Sequence, residues 1–182
     1  MIIYPGTFNP VHIGHIKIAE TVSNLFRKEV TLIPAFDSPW KPDLKDNYMD
    51  RVNMITLSGL RASKVESILP CPSYTFQTVE YLHNAWNLRG RLDFVIGCDQ
   101  FFQLEKWKHP EILKMLCHFI VLPRITENSE EKLTVMKEKG YRFTLIEMDY
   151  ISASSSEVRA GNLDLVVPAV KRYILDHEIY KF

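Results

Sequence analysis

The chain has 182 residues, 46% of them hydrophobic, and 22 Lys and Arg balance 22 Asp and Glu. That length and apolar content suit a single domain, residues 1–182, with a core of its own, while the zero formal charge argues against nucleic acid or an anionic membrane as a partner. Three scattered cysteines, Cys71, Cys98 and Cys117, form no Cys-x-x-Cys pair and no stretch approaches membrane-spanning length, which predicts reduced thiols and a cytoplasmic protein.

In chain order, Met1 to His15 reads as an apolar strand, a sharp turn and a helix start carrying two histidines. Asn9 suits a helix cap and Pro10 the first helical position, so the helix is expected to begin at Pro10 or Val11 and to run to about Phe26. Ile13, Ile16, Ala19, Val22 and Phe26 form its buried stripe. His12 and His15, three residues apart, share one face of the first turns, beside backbone N–H groups without intrahelical partners, where anions are favoured. Gly6 permits the turn, and Gly14 leaves room for a ligand against the helix. A lone histidine at a helix start is commonly a surface residue; two of them framing a glycine after Gly6-Thr7-Phe8-Asn9-Pro10 point to a phosphate site. A zinc pair is the lesser option, because the glutamate and third ligand of a helical zinc motif are absent.

Val30–Ile33 is predicted as a buried parallel strand ending at Pro34. The proline-rich loop Ala35–Asn47 then lies beyond the strand's carboxyl end, where ligands often bind. Helices are expected at Tyr48–Leu60 and Thr75–Asn87, and strands at Val65–Leu69, Leu92–Ile96, Phe119–Leu122 and Phe143–Ile146. This alternation predicts an α/β fold, a Rossmann-like open parallel sheet with helices on both faces, whose ligands sit at the carboxyl ends of the strands. Neither Gly-x-Gly-x-x-Gly nor a P-loop occurs, which removes the main support for dinucleotide oxidoreductases and P-loop enzymes. Near the end, Ser154 can cap a short helix with Glu157 completing a capping box, and Arg159 offers a planar donor fork suited to phosphate.

These residues carry a resemblance. Gly6-Thr7-Phe8-Asn9-Pro10 followed by His12-Ile13-Gly14-His15 is similar to the first nucleotidylyltransferase signature, Gly-(Thr/Ser)-Phe-(Asp/Asn)-Pro and His-x-Gly-His. Ala153-Ser154-Ser155-Ser156-x-x-Arg159 resembles the second, Ile-Ser-Ser-Thr-x-x-Arg, with alanine for isoleucine and serine for threonine. His-x-Gly-His also occurs in class I aminoacyl-tRNA synthetases, but 182 residues leave no room for a tRNA-binding apparatus and no Lys-Met-Ser-Lys-Ser segment is present. Ser73-Tyr74-Thr75-Phe76-Gln77-Thr78, Gly97-Cys98-Asp99 and the downstream Trp107 resemble bacterial nicotinate-nucleotide adenylyltransferases, as does the closing stretch from Val167 to Tyr180, which reads on its own as a packed C-terminal helix. The family's Pro-x-His-Lys loop reads Pro39-Trp40-Lys41; Trp40 either covers the nucleotide or packs the loop.

The resemblance implies adenylyl transfer from ATP to nicotinate mononucleotide, giving deamido-NAD and pyrophosphate, with Mg2+ arriving on ATP and no resident metal. It assigns His12, His15, Lys41 and Arg159 to catalysis, Gly6, Thr7, Phe8, His15, Gly97, Asp99, Ser155, Ser156 and Arg159 to ATP, and Ser73, Tyr74, Thr75, Thr78 and Trp107 to the acceptor. The carboxylate of the acceptor is expected to meet the N–H groups at Thr75 and the Thr78 hydroxyl, with Trp107 against the ring. The alternatives are a pantetheine-phosphate adenylyltransferase, suggested by Tyr4-Pro5-Gly6-Thr7-Phe8, and a non-catalytic nucleotide-binding module. ATP and a pyridine mononucleotide are the expected partners, and homo-oligomer formation stays open.

Overall fold

The structure, a computed structural model, describes residues 1–37, 47–122, 129–149 and 152–182. Its frame is a six-stranded sheet in the order β3-β2-β1-β4-β5-β6, built from β1 (Ile2–Gly6), β2 (Val30–Pro34), β3 (Arg61–Ala62), β4 (Leu92–Gly97), β5 (Cys117–Leu122) and β6 (Phe143–Leu145). Each neighbouring pair is parallel. The Rossmann-like expectation holds, and the order reverses between β1 and β4, the crevice where such sheets bind ligands.

Side chains on successive strand residues point to opposite faces, and the sheet feeds two separate cores. Ile2, Tyr4, Leu32, Val95 and Ile120 join one core with Ala19 and Val22 of α1 (Ile13–Phe26), Met54 and Ile55 of α2 (Tyr48–Leu57), Val158 of α7 (Ser155–Arg159) and Val170 and Ile174 of α8 (Pro168–Asp176). Ile3, Ile33, Phe94, Ile96, Phe119 and Val121 face the other core, with Val79 and Leu82 of α3 (Thr75–Ala85), Phe101 of α4 (Cys98–Phe101), Leu113 of α5 (Pro110–Leu116) and Met136 of α6 (Ser129–Glu138). Helices therefore cover both faces.

The ladders are uneven. β4 and β5 stay in register over six residue pairs and β1 and β2 over five, but β1 and β4 pair only at Ile2↔Asp93 and Ile3↔Phe94. The two central strands thus part company toward their carboxyl ends, and the opening lies beside the turn that carries the histidines.

Two expectations are corrected. Val65–Leu69 is no strand: Val65–Ile68 forms a tight helical turn, started by the Ser63 hydroxyl oxygen accepting the Val65 N–H at 3.3 Å, and the edge position in the sheet is taken by Arg61–Ala62 beside Thr31 and Leu32. The reason is Glu66, which turns inward and is only 8% exposed. The first helix starts at Ile13 rather than at Pro10 or Val11, because the His12 side chain, not Asn9, takes the capping position. The other helices expected at Tyr48 and Thr75 begin where the sequence placed them and stop two to three residues early, at Leu57 and Ala85.

Candidate active site

His12 and His15 cap their own helix. The Nδ1 of His12 accepts the Gly14 N–H at 3.2 Å, and the Nδ1 of His15 accepts the His12 N–H at 3.2 Å. This is a capping box in which histidines fill the roles usually given to Ser or Thr and to Glu or Gln. The two rings lie 3.7 Å apart at 32°. Gly14 is needed for the ring itself: a Cβ there would sit 3.0 Å from His12 Cε1 and Nδ1. The spacing His-x-Gly-His is thereby a local structural solution. Gly14 clears space for His12, a role that the expectation of space for a ligand did not include.

A nitrogen that accepts a backbone N–H carries no proton, so in the neutral form each ring holds its proton on Nε2. Both rings are neutral near pH 7. Burial pushes the His12 pKa down to about 4, against a smaller opposing pull from Glu157. Burial, and then the neighbouring His12, hold His15 well below the usual histidine range. The pair therefore presents two neutral N–H donors whose orientation is set by the main chain.

The sign of the linkage is testable. A histidine with a lowered folded pKa is protonated first in the unfolded chain, so its contribution is complete above pH 6.5 and is lost as pH falls toward the folded value. For His12 the loss between pH 6.5 and pH 4 amounts to about 3 kcal/mol, using the folded value of about 4. Melting temperatures across that window should drop, and His12→Asn, which caps without titrating, should flatten the slope.

Phe8 adopts a left-handed backbone, φ 50°, and its ring folds back over Gly6, where a Cβ would lie 2.8 Å from it. This is the work Gly6 does; the left-handed residue of the turn is Phe8. The Phe8 ring meets Tyr4 edge-on at 5.3 Å and His15 at 4.9 Å, which fixes the inner side of the histidine.

The second motif docks on this turn. Ser154 caps α7 by accepting the Glu157 N–H at 3.2 Å, while the Glu157 carboxylate accepts a hydrogen bond from the Ser154 hydroxyl at 2.7 Å rather than reaching a backbone N–H. Ser155 donates to the Pro10 carbonyl at 2.9 Å. Arg159 donates from Nη1 to the Asn9 carbonyl at 2.6 Å and from Nη2 to the Ser156 hydroxyl oxygen at 3.1 Å. The fork is thus held in place by the turn and remains exposed. Gly97 caps α4 at the end of β4, the strand beside β1, and a Cβ there would meet nothing within 4 Å, so this glycine borders open space. Asp99 lies in the first turn of α4. Lys41 and Trp40 lie outside the described residues.

The segment read as an acceptor site is built differently from the expectation. α3 starts at Thr75 as anticipated, and the Gln77 side chain accepts the Tyr74 N–H at 2.8 Å. The Thr78 hydroxyl is 1% exposed and donates to Glu66 Oε1 at 2.7 Å, and the Ser73 hydroxyl donates to Glu66 Oε2 at 2.6 Å. Both hydroxyls meet one carboxylate, with Ser73 also 3.3 Å from the Asp37 carbonyl, so Thr78 and Ser73 anchor the helix start and the Thr78 hydroxyl is not directed at a ligand. Lys108, next to the half-buried Trp107, stands 4.2 Å over the Tyr74 ring, and Phe76 meets His109 at 4.6 Å. Trp107 packs against the second core at the edge of this aromatic group.

Three residues escaped the sequence reading. Arg51 has no exposed surface and donates from Nε to Asn47 Oδ1 at 2.9 Å, from Nη1 to the Thr7 carbonyl at 2.8 Å and from Nη2 to the Ala35 carbonyl at 2.8 Å. It ties the ends of β1 and β2 together. Its signal was available, since it occupies an apolar-stripe position with Tyr48, Val52 and Ile55. Tyr180 gave none, because Asn9 lies 171 residues away, and neither did Glu66, whose partners Ser73 and Thr78 are brought to it by the turn after residue 68 and not by helix or strand spacing.

The sequence and the fold both resemble those of known proteins. The cytidylyltransferase-like family model matches residues 3–161. A Synechococcus protein described as a probable nicotinate-nucleotide adenylyltransferase is 32% identical over 98% of this chain and 93% of its own. A relative from Caldicellulosiruptor bescii with the same description is 32% identical over 98% and 97%. The fold matches the Plasmodium falciparum nicotinic acid mononucleotide adenylyltransferase complexed with NaAD, with a TM-score of 0.73 at 19% identity, covering 98% of this chain and 96% of that one.

Proposed function

Because the chain belongs to the cytidylyltransferase-like family, we propose that it is a nicotinate-nucleotide adenylyltransferase, moving the adenylyl group of ATP onto nicotinate mononucleotide in NAD biosynthesis. The acceptor's 5′-phosphate oxygen attacks the α-phosphorus of ATP; a new P–O bond forms, the bond to the β-phosphate oxygen breaks, and pyrophosphate leaves. The nucleophile is already ionised near pH 7. Positioning and charge stabilisation supply the rate, and a general base is unnecessary.

The observation that carries this reading is the pair of Nε2–H donors fixed by the backbone at the open end of β1. In this reading His12 and His15 hold the phosphates at the transferring centre, Ser156, Arg159 and Lys41 the polyphosphate, and Gly6, Thr7, Phe8, Gly97, Asp99 and Ser155 shape the ATP pocket. Neutral donors suit the task, because they gain strength as charge develops on the phosphoryl oxygens and need no counter-anion beforehand. Among the described residues no group of three or more His, Cys, Asp or Glu could hold a metal. Mg2+ is taken to arrive as part of the ATP substrate, whose phosphates need neutralising.

For the acceptor, the first-turn N–H groups of α3 receive the nicotinate carboxylate and Trp107 stacks on the ring, with Ser73, Tyr74, Thr75 and Thr78 building the helix start. An amide would present its own N–H donors to those groups, and the mismatch costs about 1–3 kcal/mol, roughly tenfold to a hundredfold in specificity. The chain acts as one domain in the cytoplasm, a reading that fits its three free cysteines and the absence, among the described residues, of a helix long and apolar enough to cross a membrane.

One panel tests the proposal. Pyrophosphate release from ATP is measured with nicotinate mononucleotide, nicotinamide mononucleotide and phosphopantetheine at limiting enzyme. Preference for the first by at least about tenfold is expected. Equal use of the two pyridine nucleotides removes the carboxylate site, preference for phosphopantetheine changes the substrate, and silence with all three leaves a nucleotide-binding module.

A further inference from the structure

We propose that Tyr180, near the C-terminal end of the chain, is a positioning residue for the adenylyl-transfer site, acting through the side chain of Asn9. The inference rests on the adenylyl-transfer reading and adds to it a residue that neither signature contains. The Tyr180 hydroxyl donates to Asn9 Oδ1 at 2.7 Å, across 171 residues of sequence. Asn9 Oδ1 also accepts from Asn47 Nδ2 at 3.2 Å, and Asn47 Oδ1 accepts from Arg51 Nε.

The direction of every bond in this chain follows from its far end. A guanidinium has donors only, so Asn47 must turn its oxygen to Arg51 and its NH2 to Asn9. Asn9 must then present its oxygen, and the phenol must donate to it. Burial pushes the Tyr180 pKa upward, so the donor keeps its proton throughout the working pH range. The bonds therefore converge on Asn9 Oδ1 from two sides, from Arg51 through Asn47 and directly from Tyr180, with no alternative arrangement.

Its target is the turn that delivers His12. The Asn9 carbonyl is gripped by Arg159, the Pro10 carbonyl by Ser155 and the Thr7 carbonyl by Arg51. Those three bonds hold the main chain, while Tyr180 and Asn47 hold the one polar side chain in the middle of it. The Tyr180 ring packs on the first core with Ile179 and Tyr173, and that packing accounts for its stability contribution. The hydroxyl adds something separable, the orientation of residue 9 three positions before the helix cap.

Tyr180→Phe keeps the ring and deletes the donor. With ATP and nicotinate mononucleotide, kcat should fall about five- to tenfold, the size expected for one lost hydrogen bond acting in the transition state, while the KM for ATP stays within about twofold. Asn9→Leu should lower kcat as well, and the double variant should be no slower than the slower single variant, because both remove the same contact. An unchanged kcat in Tyr180→Phe, or a drop in melting temperature without one in kcat, overturns the proposal, as do multiplicative losses in the double variant. The side-chain NH2 resonances of Asn9, assigned by their loss in Asn9→Leu, give a readout that does not depend on activity. They should shift in Tyr180→Phe, and unmoved resonances overturn the contact even if the wild type proves to use another acceptor; a wild type without transferase activity fails the adenylyl-transfer reading alone.

Discussion

His15→Ala should lower the turnover of adenylyl transfer by about a hundredfold or more, the usual consequence of removing one preorganised donor from a transition-state site. Its cost in stability should be the smaller effect, about 1–3 kcal/mol, because the fold loses the acceptor for the His12 N–H and the ring contacts with His12 and Phe8. The two effects separate cleanly when kcat and urea denaturation are measured on the same preparation. Near-normal turnover in His15→Ala would remove the histidine from the phosphate site. The same substitution at His12 is less informative, since that side chain caps the helix through the Gly14 N–H and its loss disturbs the whole helix start.

Arg51→Met is expected to have the largest effect on stability. The methionine fills much of the volume but donates nothing, leaving the Thr7 and Ala35 carbonyls and the Asn47 side-chain oxygen without their donors in a region where the guanidinium itself has no exposed surface. At about 1 kcal/mol or more for each stranded acceptor the loss is about 3 kcal/mol or more, a large share of the stability of an ordinary domain. Arg51→Lys should recover only part of it, because an ammonium group cannot reach three acceptors held in the plane of a fork. Urea midpoints for the two variants check this, and a midpoint near that of the wild type in Arg51→Met would show that water replaces the lost donors.

What could be read from the sequence was mostly what is local in the chain. The histidine pair at the first helix start was legible because its capping partners lie within three residues, and the alternation of apolar runs pointed to the parallel sheet. The start of α1 was misplaced for a local reason too: Asn9-Pro10 satisfies the general capping rule, but an imidazole at position 12 competes for the same N–H groups and wins. Val65–Leu69 looked like a strand because its apolar ends are strand-like, and only the partners of Glu66 across the following turn, Ser73 and Thr78, explain why it coils instead. α6 has a mostly polar surface with a single fully buried residue, Met136, too weak a stripe to announce a helix. Arg51, Asn47 and Tyr180 could not be linked to Thr7 and Asn9 by any spacing rule, since their contacts span 38 to 171 residues.

The convergence of distant segments on residues 7–10 also bears on how the molecule comes apart. Three of the bonds that reach the turn span 145, 150 and 171 residues, and their donors sit on α7 and on the segment after α8. Neither element contributes a strand; both are joined to the sheet by core packing, through Val158 and Tyr180, and not by ladder hydrogen bonds, so their loosening would be a sub-global opening and not a loss of the sheet. Such an opening strips Asn9 and Pro10 of these anchors at once. The turn would then be held only from the side of α2, by Arg51 on the Thr7 carbonyl and Asn47 on the Asn9 side chain, so its order depends on the C-terminal segments in a way that the order of the sheet does not.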